Sequence, residues 1–408
     1  MKYIVLVGDG MSDYPLEELD GRTPLMVSKT PNMDFLATNG VLGRVQTIPE
    51  GFAPGSDVAN LSLMGYDPKV YYTGRAPLEA ASLRLHLEAE DVAFRCNLVN
   101  LGEKDREFFM DDFSAGHIST EDARELIQDI NKALGNNLFS FHPGVSYRHI
   151  MLWKAGNSEM HTTPPHDITG KPIDSYLPQG DGSERIIELM DRSQKVLAHH
   201  PVNERRKQEG KKPANAIWLW GQGKSLKIPS FREKYLCSGA VISAVDLIKG
   251  IGISAGLEPV NVPGATGYLD TNYRGKAEYA INALKDKDFV FVHVEAPDEA
   301  AHNGSMEDKI KAIEYFDEKV VGTVVEKIKQ FSLFRIMVLP DHATPICLKT
   351  HASDPVPFVI YPPIKDFEQN ELQTFDEASA GNSPLFISEG HKLMDFFILG
   401  KLQQEPHN

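Results

Sequence analysis

A set of short, almost uninterrupted apolar runs constrains the fold of this chain most strongly. Five or six consecutive apolar residues are typical of a strand buried on both faces of a parallel sheet, whereas a half-exposed strand alternates. Helical patterns separate the later runs, at 275–284 and 306–330. This alternation predicts an α/β fold with a mostly parallel sheet and helices on both faces. The runs are residues 3–7, 289–294, 335–339 and 357–361, with 216–220 as a further candidate strand.

The middle of the chain has a different character. Residues 86–213 are more polar and richer in turn residues than the flanking segments. The chain is 408 residues long, well beyond one domain of about 150 residues. We therefore predict a discontinuous core, residues 1–85 and 214–408, interrupted by a smaller inserted α+β domain.

The charge balance excludes several classes of partner. The chain has 42 Lys and Arg against 57 Asp and Glu, a net charge of −15, so it lacks the basic surface that binds nucleic acid or anionic membranes. It has no apolar run of membrane-spanning length. Three cysteines, Cys96, Cys237 and Cys347, do not form a disulfide framework, which predicts a cytoplasmic protein. An anionic substrate would need a local source of positive charge, such as a bound metal ion.

Glycine motifs give no convincing nucleotide site. Residues 250–256 resemble a dinucleotide-binding loop, but the third glycine is one position too late. Residues 223–225 resemble the end of a Walker A loop, but its first glycine would have to be Trp218.

Carboxylates and imidazoles follow the predicted strands. In α/β sheets, ligands bind at the carboxyl ends of the strands, and mixed oxygen and nitrogen donors suit divalent ions such as Zn²⁺ or Mn²⁺. Each residue alone also has an ordinary interpretation as a helix cap, a turn or a solvated helix face. Together with a serine oxygen, the set would fill two neighbouring metal sites. The side chains are Asp9, Asp298, His302, Asp341, His342 and His351.

Ser56 stands at the start of a predicted helix. Capping of that helix is a sufficient reason for a serine there. The alternative is a nucleophile at the positive end of the helix, activated by contact with metal.

These segments together resemble the cofactor-independent phosphoglycerate mutases of the alkaline phosphatase superfamily, specifically the short archaeal-type branch. The resemblance covers nearly the whole chain. The matching segments are residues 8–11, 30–34, 55–62, 72–79, 91–97, 218–223, 298–302 and 341–342.

The resemblance implies a role for each matched residue. Ser56 would become the phosphoserine in the interconversion of 3-phosphoglycerate and 2-phosphoglycerate, with no requirement for 2,3-bisphosphoglycerate. The family uses two divalent ions, typically Mn²⁺, with Mg²⁺, Co²⁺ or Zn²⁺ as alternatives, and the inserted domain would close over the bound glycerate. One ion would be bound by Asp9, Ser56, Asp341 and His342, and the other by Asp298, His302 and His351.

The predicted substrate contacts are less directly supported. Guanidinium groups suit both carboxylates and phosphates. The candidates are Arg75, Arg95 and Arg148 for the charged groups, Asp91 and His149 for the hydroxyls, and Lys234 for the phosphate.

Other functions remain open from the sequence. Proteins of this branch include proposed homoserine kinases, and the same metal core could serve a phosphatase or phosphonate hydrolase. A non-catalytic binding protein is a further alternative. The sequence indicates no oligomeric state.

Overall fold

The computed structural model of the protein describes residues 1–364 and 373–401. Its strands are β1 (Lys2–Gly8), β2 (Val41–Val45), β3 (Val92–Lys104), β4 (Glu107–Asp112), β5 (Phe139–Val145), β6 (Arg148–Trp153), β7 (Met160–His161), β8 (Gln179–Gly180), β9 (Ala216–Lys224), β10 (Gly239–Ile242), β11 (Glu258–Pro259), β12 (Phe289–Val294), β13 (Phe334–Leu339), β14 (Val356–Tyr361) and β15 (Phe386–Ile387).

The α-helices form most of the remaining regular structure. In the described ranges, no helix combines the length and the apolar character needed to cross a membrane. The helices are α1 (Pro24–Val27), α2 (Pro31–Asn39), α3 (Ser56–Leu63), α4 (Pro68–Tyr71), α5 (Arg75–Ser82), α6 (Thr120–Leu134), α7 (Ser183–Leu197), α8 (Pro201–Gln208), α9 (Phe231–Tyr235), α10 (Asp246–Ser254), α11 (Tyr273–Ala283), α12 (Ala296–His302), α13 (Met306–Tyr315), α14 (Gly322–Lys327), α15 (Glu377–Asn382) and α16 (His391–Leu399).

The chain divides into two compact units. The first unit consists of residues 1–72 and 227–408, and the second of residues 73–226. The first unit contains an eight-stranded sheet in the order β11-β10-β12-β1-β13-β14-β2-β15. Strand β14 is antiparallel to both of its neighbours, and the other pairings in this sheet are parallel. The predicted α/β class with a mostly parallel sheet is therefore confirmed.

The central strand β1 is held on both sides by strands from far along the chain. Gly8 pairs with Val294 of β12, and Val7 pairs with Leu339 of β13. The side chains of β1 from Ile4 to Val7 are fully buried, and each such side chain contributes about 1.5–3 kcal/mol to stability. The observed pairing register brings the ends of β12, β1 and β13 to the same level. Residues that follow these three strands consequently meet at one edge of the sheet.

The second unit is built on a five-stranded antiparallel sheet. The order is β4-β3-β6-β5, and β9 pairs with the free side of the long strand β3. Helices α6 and α7 pack against this sheet and bury one apolar core with it. All three tryptophans of the chain, Trp153, Trp218 and Trp220, belong to this unit.

The boundaries of the units lie outside the predicted ones. The sequence suggested a core strand at 216–220 and an inserted domain at 86–213, but β9 pairs antiparallel with β3, and α5 packs on both of these strands. Because these contacts are distant in sequence, the local pattern could not reveal them. The two ends of the second unit also touch, since the Thr73 hydroxyl donates to the Lys224 carbonyl at 2.6 Å.

Glycine is required at this junction. Gly74 has a φ of 138°, and a Cβ there would lie 2.2 Å from the Gln222 carbonyl oxygen. Only a residue without a side chain allows the two segments to approach so closely.

Candidate metal centre

The predicted ligands lie together at the edge where β12, β1 and β13 end. Asp9 directly follows β1, and its backbone N–H donates to the Val294 carbonyl at 2.9 Å. Asp298 is on α12, which begins two residues after β12, and Asp341 comes two residues after β13. All three carboxylates are buried. The sheet topology thus concentrates negative charge where the sequence predicted a site.

Ser56 points into this edge rather than along its own helix. It is the first residue of α3, whose N-cap is Gly55, and no side chain caps the helix. The Ser56 Oγ lies 3.0 Å from His342 Nε2, which lies 3.4 Å from Asp9 Oδ1. Capping therefore does not explain the serine, and three electron-pair donors converge at this point.

Asp341 is held rigidly beside them. Its Oδ1 accepts the backbone N–H groups of Gly10 at 3.1 Å and of His342 at 3.0 Å. Its Oδ2 accepts the Asn60 amide at 2.7 Å and lies 3.5 Å from His342 Nε2. These bonds fix both oxygens without supplying a positive charge.

A second group of donors forms around Asp298. His302 Nε2 lies 3.2 Å from Asp298 Oδ2, and His351 Nε2 lies 3.6 Å from Asp298 Oδ1. The two Nε2 atoms are 3.0 Å apart. His302 is one turn of α12 after Asp298, so the i, i+4 spacing orients both side chains to the same side, as the sequence predicted.

Hydrogen bonds on the far side of the rings indicate which nitrogens are available. His302 Nδ1 lies 2.9 Å from the Lys349 carbonyl, which can only accept, so Nδ1 carries a proton. Asp298 raises the pKa of His302 to about 9, and a cation bound at Nε2 would replace the second proton of the ring. The Thr344 hydroxyl donates to Asp298 and lies 3.1 Å from His342 Nδ1, which places a proton on His342 Nδ1 as well. Burial lowers the pKa of His342, which keeps its ring neutral. Such outer partners are typical of metal-ligating histidines.

Electrostatics favours cations at this edge. Burial and the neighbouring charges of Asp341 and Asp298 raise the pKa of Asp9 well above its usual range. Among the described residues, buried Asp9 Oδ1 has no hydrogen-bond partner. Buried carboxylates are costly unless they are paired or coordinate a metal. The donor chemistry therefore fits divalent ions.

One buried histidine beside the site was missed by the sequence reasoning. His293 lies on β12, and Asp9, His293 and Asp341 offer ligand atoms within 4.8 Å of one another. A second such group is Asp298, His342 and His351. We interpreted His293 only as part of a buried strand. The available signal was a single polar side chain in an otherwise apolar run, two residues before Glu295.

The predicted arginines form a group within the second unit. Glu79 lies between two of them, because Arg95 Nε donates to it at 3.1 Å and Arg75 Nε lies 3.7 Å from it. The Arg95 guanidinium stacks on Trp220 with 4.2 Å to the ring centroid. Burial, opposed by Glu79 and reinforced by the charges of Arg75 and Arg148, lowers the pKa of Arg95 to about 10. This clustering of positive charge suits an anion.

The other predicted contacts lie in different settings. Asp91 accepts backbone N–H groups from Glu88 and Ala155, each at 3.0 Å. His149 is buried, accepts the Gly144 N–H at 3.0 Å, and has its pKa lowered to about 3 by burial and by Arg148.

Lys234, in the first unit, is engaged with its own surroundings. Its ammonium group donates to the Gly65 carbonyl and lies over the rings of Tyr66 and Tyr235. A role for Lys234 in phosphate binding stays a prediction.

Comparison with known proteins places these features in a family. Residues 37–203 match the family model described as 2,3-bisphosphoglycerate-independent phosphoglycerate mutase. A Geobacter sulfurreducens protein named "Probable 2,3-bisphosphoglycerate-independent phosphoglycerate mutase" is 53% identical over 398 residues, 98% of this chain and 100% of the relative. A Methanosarcina barkeri protein named "2,3-bisphosphoglycerate-independent phosphoglycerate mutase" is 53% identical over 403 residues, 98% of this chain and 100% of the relative.

Two solved structures have a similar fold. A Pyrococcus horikoshii protein is 30% identical with a TM-score of 0.83, covering 100% of this chain and 99% of that one. A cofactor-independent phosphoglycerate mutase from Thermoplasma acidophilum is 29% identical with a TM-score of 0.65, covering 98% of this chain and 99% of that one.

Proposed function

Because the chain belongs to the 2,3-bisphosphoglycerate-independent phosphoglycerate mutases, a family of isomerases, we propose that it interconverts 3-phosphoglycerate and 2-phosphoglycerate through a phosphoserine on Ser56. The reaction would serve glycolysis and gluconeogenesis in the cytoplasm. The three cysteines of the chain are unpaired, which is typical of proteins in a reducing compartment.

The position of the Ser56 hydroxyl carries this proposal. Its Oγ lies at the amino end of α3 and 3.0 Å from His342 Nε2, with the buried carboxylates of Asp9 and Asp341 beside that ring nitrogen. A serine in this setting can lose its proton and attack phosphorus. No hydrolytic water is required, because the attacking and receiving oxygens come from the protein and the substrate.

Two divalent cations, with Mn²⁺ the first choice, complete the proposal. Bound there, they would neutralise the phosphate and stabilise the Ser56 alkoxide. The proposed ligands are Asp9, Ser56, Asp341 and His342 for one ion and Asp298, His302 and His351 for the other.

The two half-reactions balance without an external phosphate donor. In the first, a bond forms between Ser56 Oγ and phosphorus as the bond from phosphorus to the substrate 3-oxygen breaks, and the serine proton ends on that oxygen. In the second, the glycerate 2-oxygen attacks the phosphoserine, the bond from phosphorus to Oγ breaks, and the proton of the 2-hydroxyl passes to Ser56 Oγ, while the 3-hydroxyl keeps the proton it gained. The glycerate must stay bound and water must be excluded between these steps.

A product assay tests the function. We expect the Mn²⁺-loaded enzyme to convert 3-phosphoglycerate to 2-phosphoglycerate, measured by coupling to enolase, with little free phosphate. Free phosphate released faster than 2-phosphoglycerate would identify a phosphatase instead. Turnover of ATP with homoserine, and not of 3-phosphoglycerate, would identify a kinase.

We assign binding of the substrate's anionic groups to the arginine group, and Arg95→Lys tests it. Lysine keeps the charge, but it lacks the flat guanidinium group that lets Arg95 stack on Trp220 and at the same time donate to Glu79 in the plane of that group. A lost charge-assisted hydrogen bond costs about 1.5–3 kcal/mol, so kcat/KM should fall by about 10- to 100-fold, mainly through KM.

Arg192→Lys is the matched control. Arg192 pairs with Glu188 on an exposed face of α7 in the same unit, and this variant should keep the wild-type KM. An unchanged KM in Arg95→Lys as well would remove the arginine group from the substrate site.

A further inference from the structure

His293 occupies an unusual position for a strand residue. It lies next to the end of β12, and its side chain is 1% exposed. Its Nε2 lies 3.5 Å from Asp9 Oδ2 and 3.6 Å from Asp341 Oδ2. Its Nδ1 lies 3.5 Å from Glu295 Oε1. One imidazole therefore connects Glu295 with two of the proposed metal ligands.

None of these contacts is a good hydrogen bond. Separations of 3.5–3.6 Å exceed the usual range for nitrogen and oxygen, and both ring nitrogens lack a hydrogen-bond partner among the described residues. A buried polar group is ordinarily paired. If Nδ1 carries the proton and faces Glu295, Nε2 turns a lone pair toward two carboxylates. Lone pairs converge in this way around a cation.

The carboxylate behind the ring is immobilised. Glu295 Oε1 accepts the Ser243 hydroxyl and the Ala244 N–H, each at 2.7 Å, and the Val245 N–H at 3.2 Å. Its Oε2 accepts the ammonium group of Lys276. Burial opposes the charge on Glu295, but the Lys276 ammonium group lowers the pKa of this carboxyl. Glu295 is thus a fixed anion beside Nδ1.

Lys276 also acts on the strand itself. Its ammonium group donates to the His293 carbonyl at 2.9 Å, and its side chain is fully buried. A buried ion pair contributes little net stability, because desolvation offsets the attraction. A carboxylate that orients a histidine toward a metal is, in contrast, a recurrent arrangement. The position of the pair behind His293 favours this second role.

We infer that His293 is a further ligand of the cation bound by Asp9 and Asp341, with Glu295 and Lys276 orienting its ring. This inference rests on the two-cation function proposed above. Its competitor is an imidazolium that merely balances the carboxylates: burial opposes protonation, but Asp341 and Glu295 raise the pKa of His293 to about 9. The two roles have opposite effects on metal binding.

A Mn²⁺ titration of the metal-stripped protein distinguishes the two roles of His293. The electron paramagnetic resonance signal of free Mn²⁺ reports how much of the ion is bound. We expect two bound ions in the wild type. In Glu295→Gln, which alters only the partner behind the ring, the dissociation constant of one ion should rise by about 10- to 100-fold. His293→Gln, which removes the ligand itself, should weaken the same ion by a larger factor, while the other ion stays unchanged. Tighter Mn²⁺ binding in His293→Gln would establish the imidazolium, and an unchanged constant would overturn the inference too.

The controls separate a local from a general effect. His200→Gln alters another buried histidine paired with a carboxylate, Asp129 at 3.0 Å, but in the second unit, and should bind Mn²⁺ as the wild type does. Circular dichroism of the metal-free variants checks folding. Should His293→Gln fail to fold, electron spin-echo spectroscopy of wild-type protein with ¹⁵N-histidine still decides, since four coupled imidazoles support the inference and three overturn it. A wild type that binds no Mn²⁺ would overturn the two-cation function itself.

Discussion

Ser56→Ala should abolish the mutase reaction while the protein remains folded. Loss of a nucleophile that forms the covalent intermediate lowers kcat by on the order of 10⁶-fold in a well-studied hydrolase, and we expect a comparable loss here because both half-reactions pass through Ser56 Oγ. Alanine is the best helix former, so α3 should be retained. The measurement is the enolase-coupled rate, together with circular dichroism.

Ser62→Ala is the matched control. Ser62 is in the same helix, is fully buried, and its hydroxyl has no hydrogen-bond partner among the described residues, so this variant should keep near wild-type activity. Mass spectrometry of acid-quenched wild type should find one phosphoryl group on the peptide containing Ser56. Activity within tenfold of wild type in Ser56→Ala would refute the phosphoserine route.

Removal of divalent ions should abolish the mutase activity and destabilise only the first unit. The three buried carboxylates Asp9, Asp298 and Asp341 would then repel one another without compensation. Each ion present at 100 times its dissociation constant stabilises the folded state by about 2.7 kcal/mol. Chelation should therefore lower the unfolding temperature of the first unit, and added Mn²⁺ should restore both activity and stability.

The distribution of tryptophans provides an internal control for this experiment. All three are in the second unit, so the unfolding transition followed by tryptophan fluorescence should not change on chelation, whereas the calorimetric transition of the first unit should. Full activity after exhaustive chelation would contradict the two-cation proposal.

The parts of the site that follow strands were predictable from sequence. A buried parallel strand has a strong local signature, and the end of β1 places Asp9 at the sheet edge whatever the rest of the chain does. Asp298 and Asp341 were found by the same reasoning. The family and its isomerase activity were also recognised from the motifs, and the comparisons confirm both.

Other features depend on packing and were not accessible from local patterns. His293 has the sequence environment of a core residue, and only the pairing of β12 with β1 brings it beside Asp9. Glu79 is linked to the proposed substrate site only by its contacts with Arg75 and Arg95. Strand β9 is assigned to the second unit by its pairing with β3, which no periodicity could indicate.

The central position of β1 also determines when the first unit can form during synthesis. Its two neighbours pair Tyr3 with Phe289 and with Arg335, so β1 is synthesised well before either neighbour and cannot be enclosed until both of them have been made. The second unit is continuous in sequence, from 73 to 226, and is complete long before that. Domains generally fold as they emerge, so residues 73–226 would fold before the unit that contains the proposed metal ligands is complete.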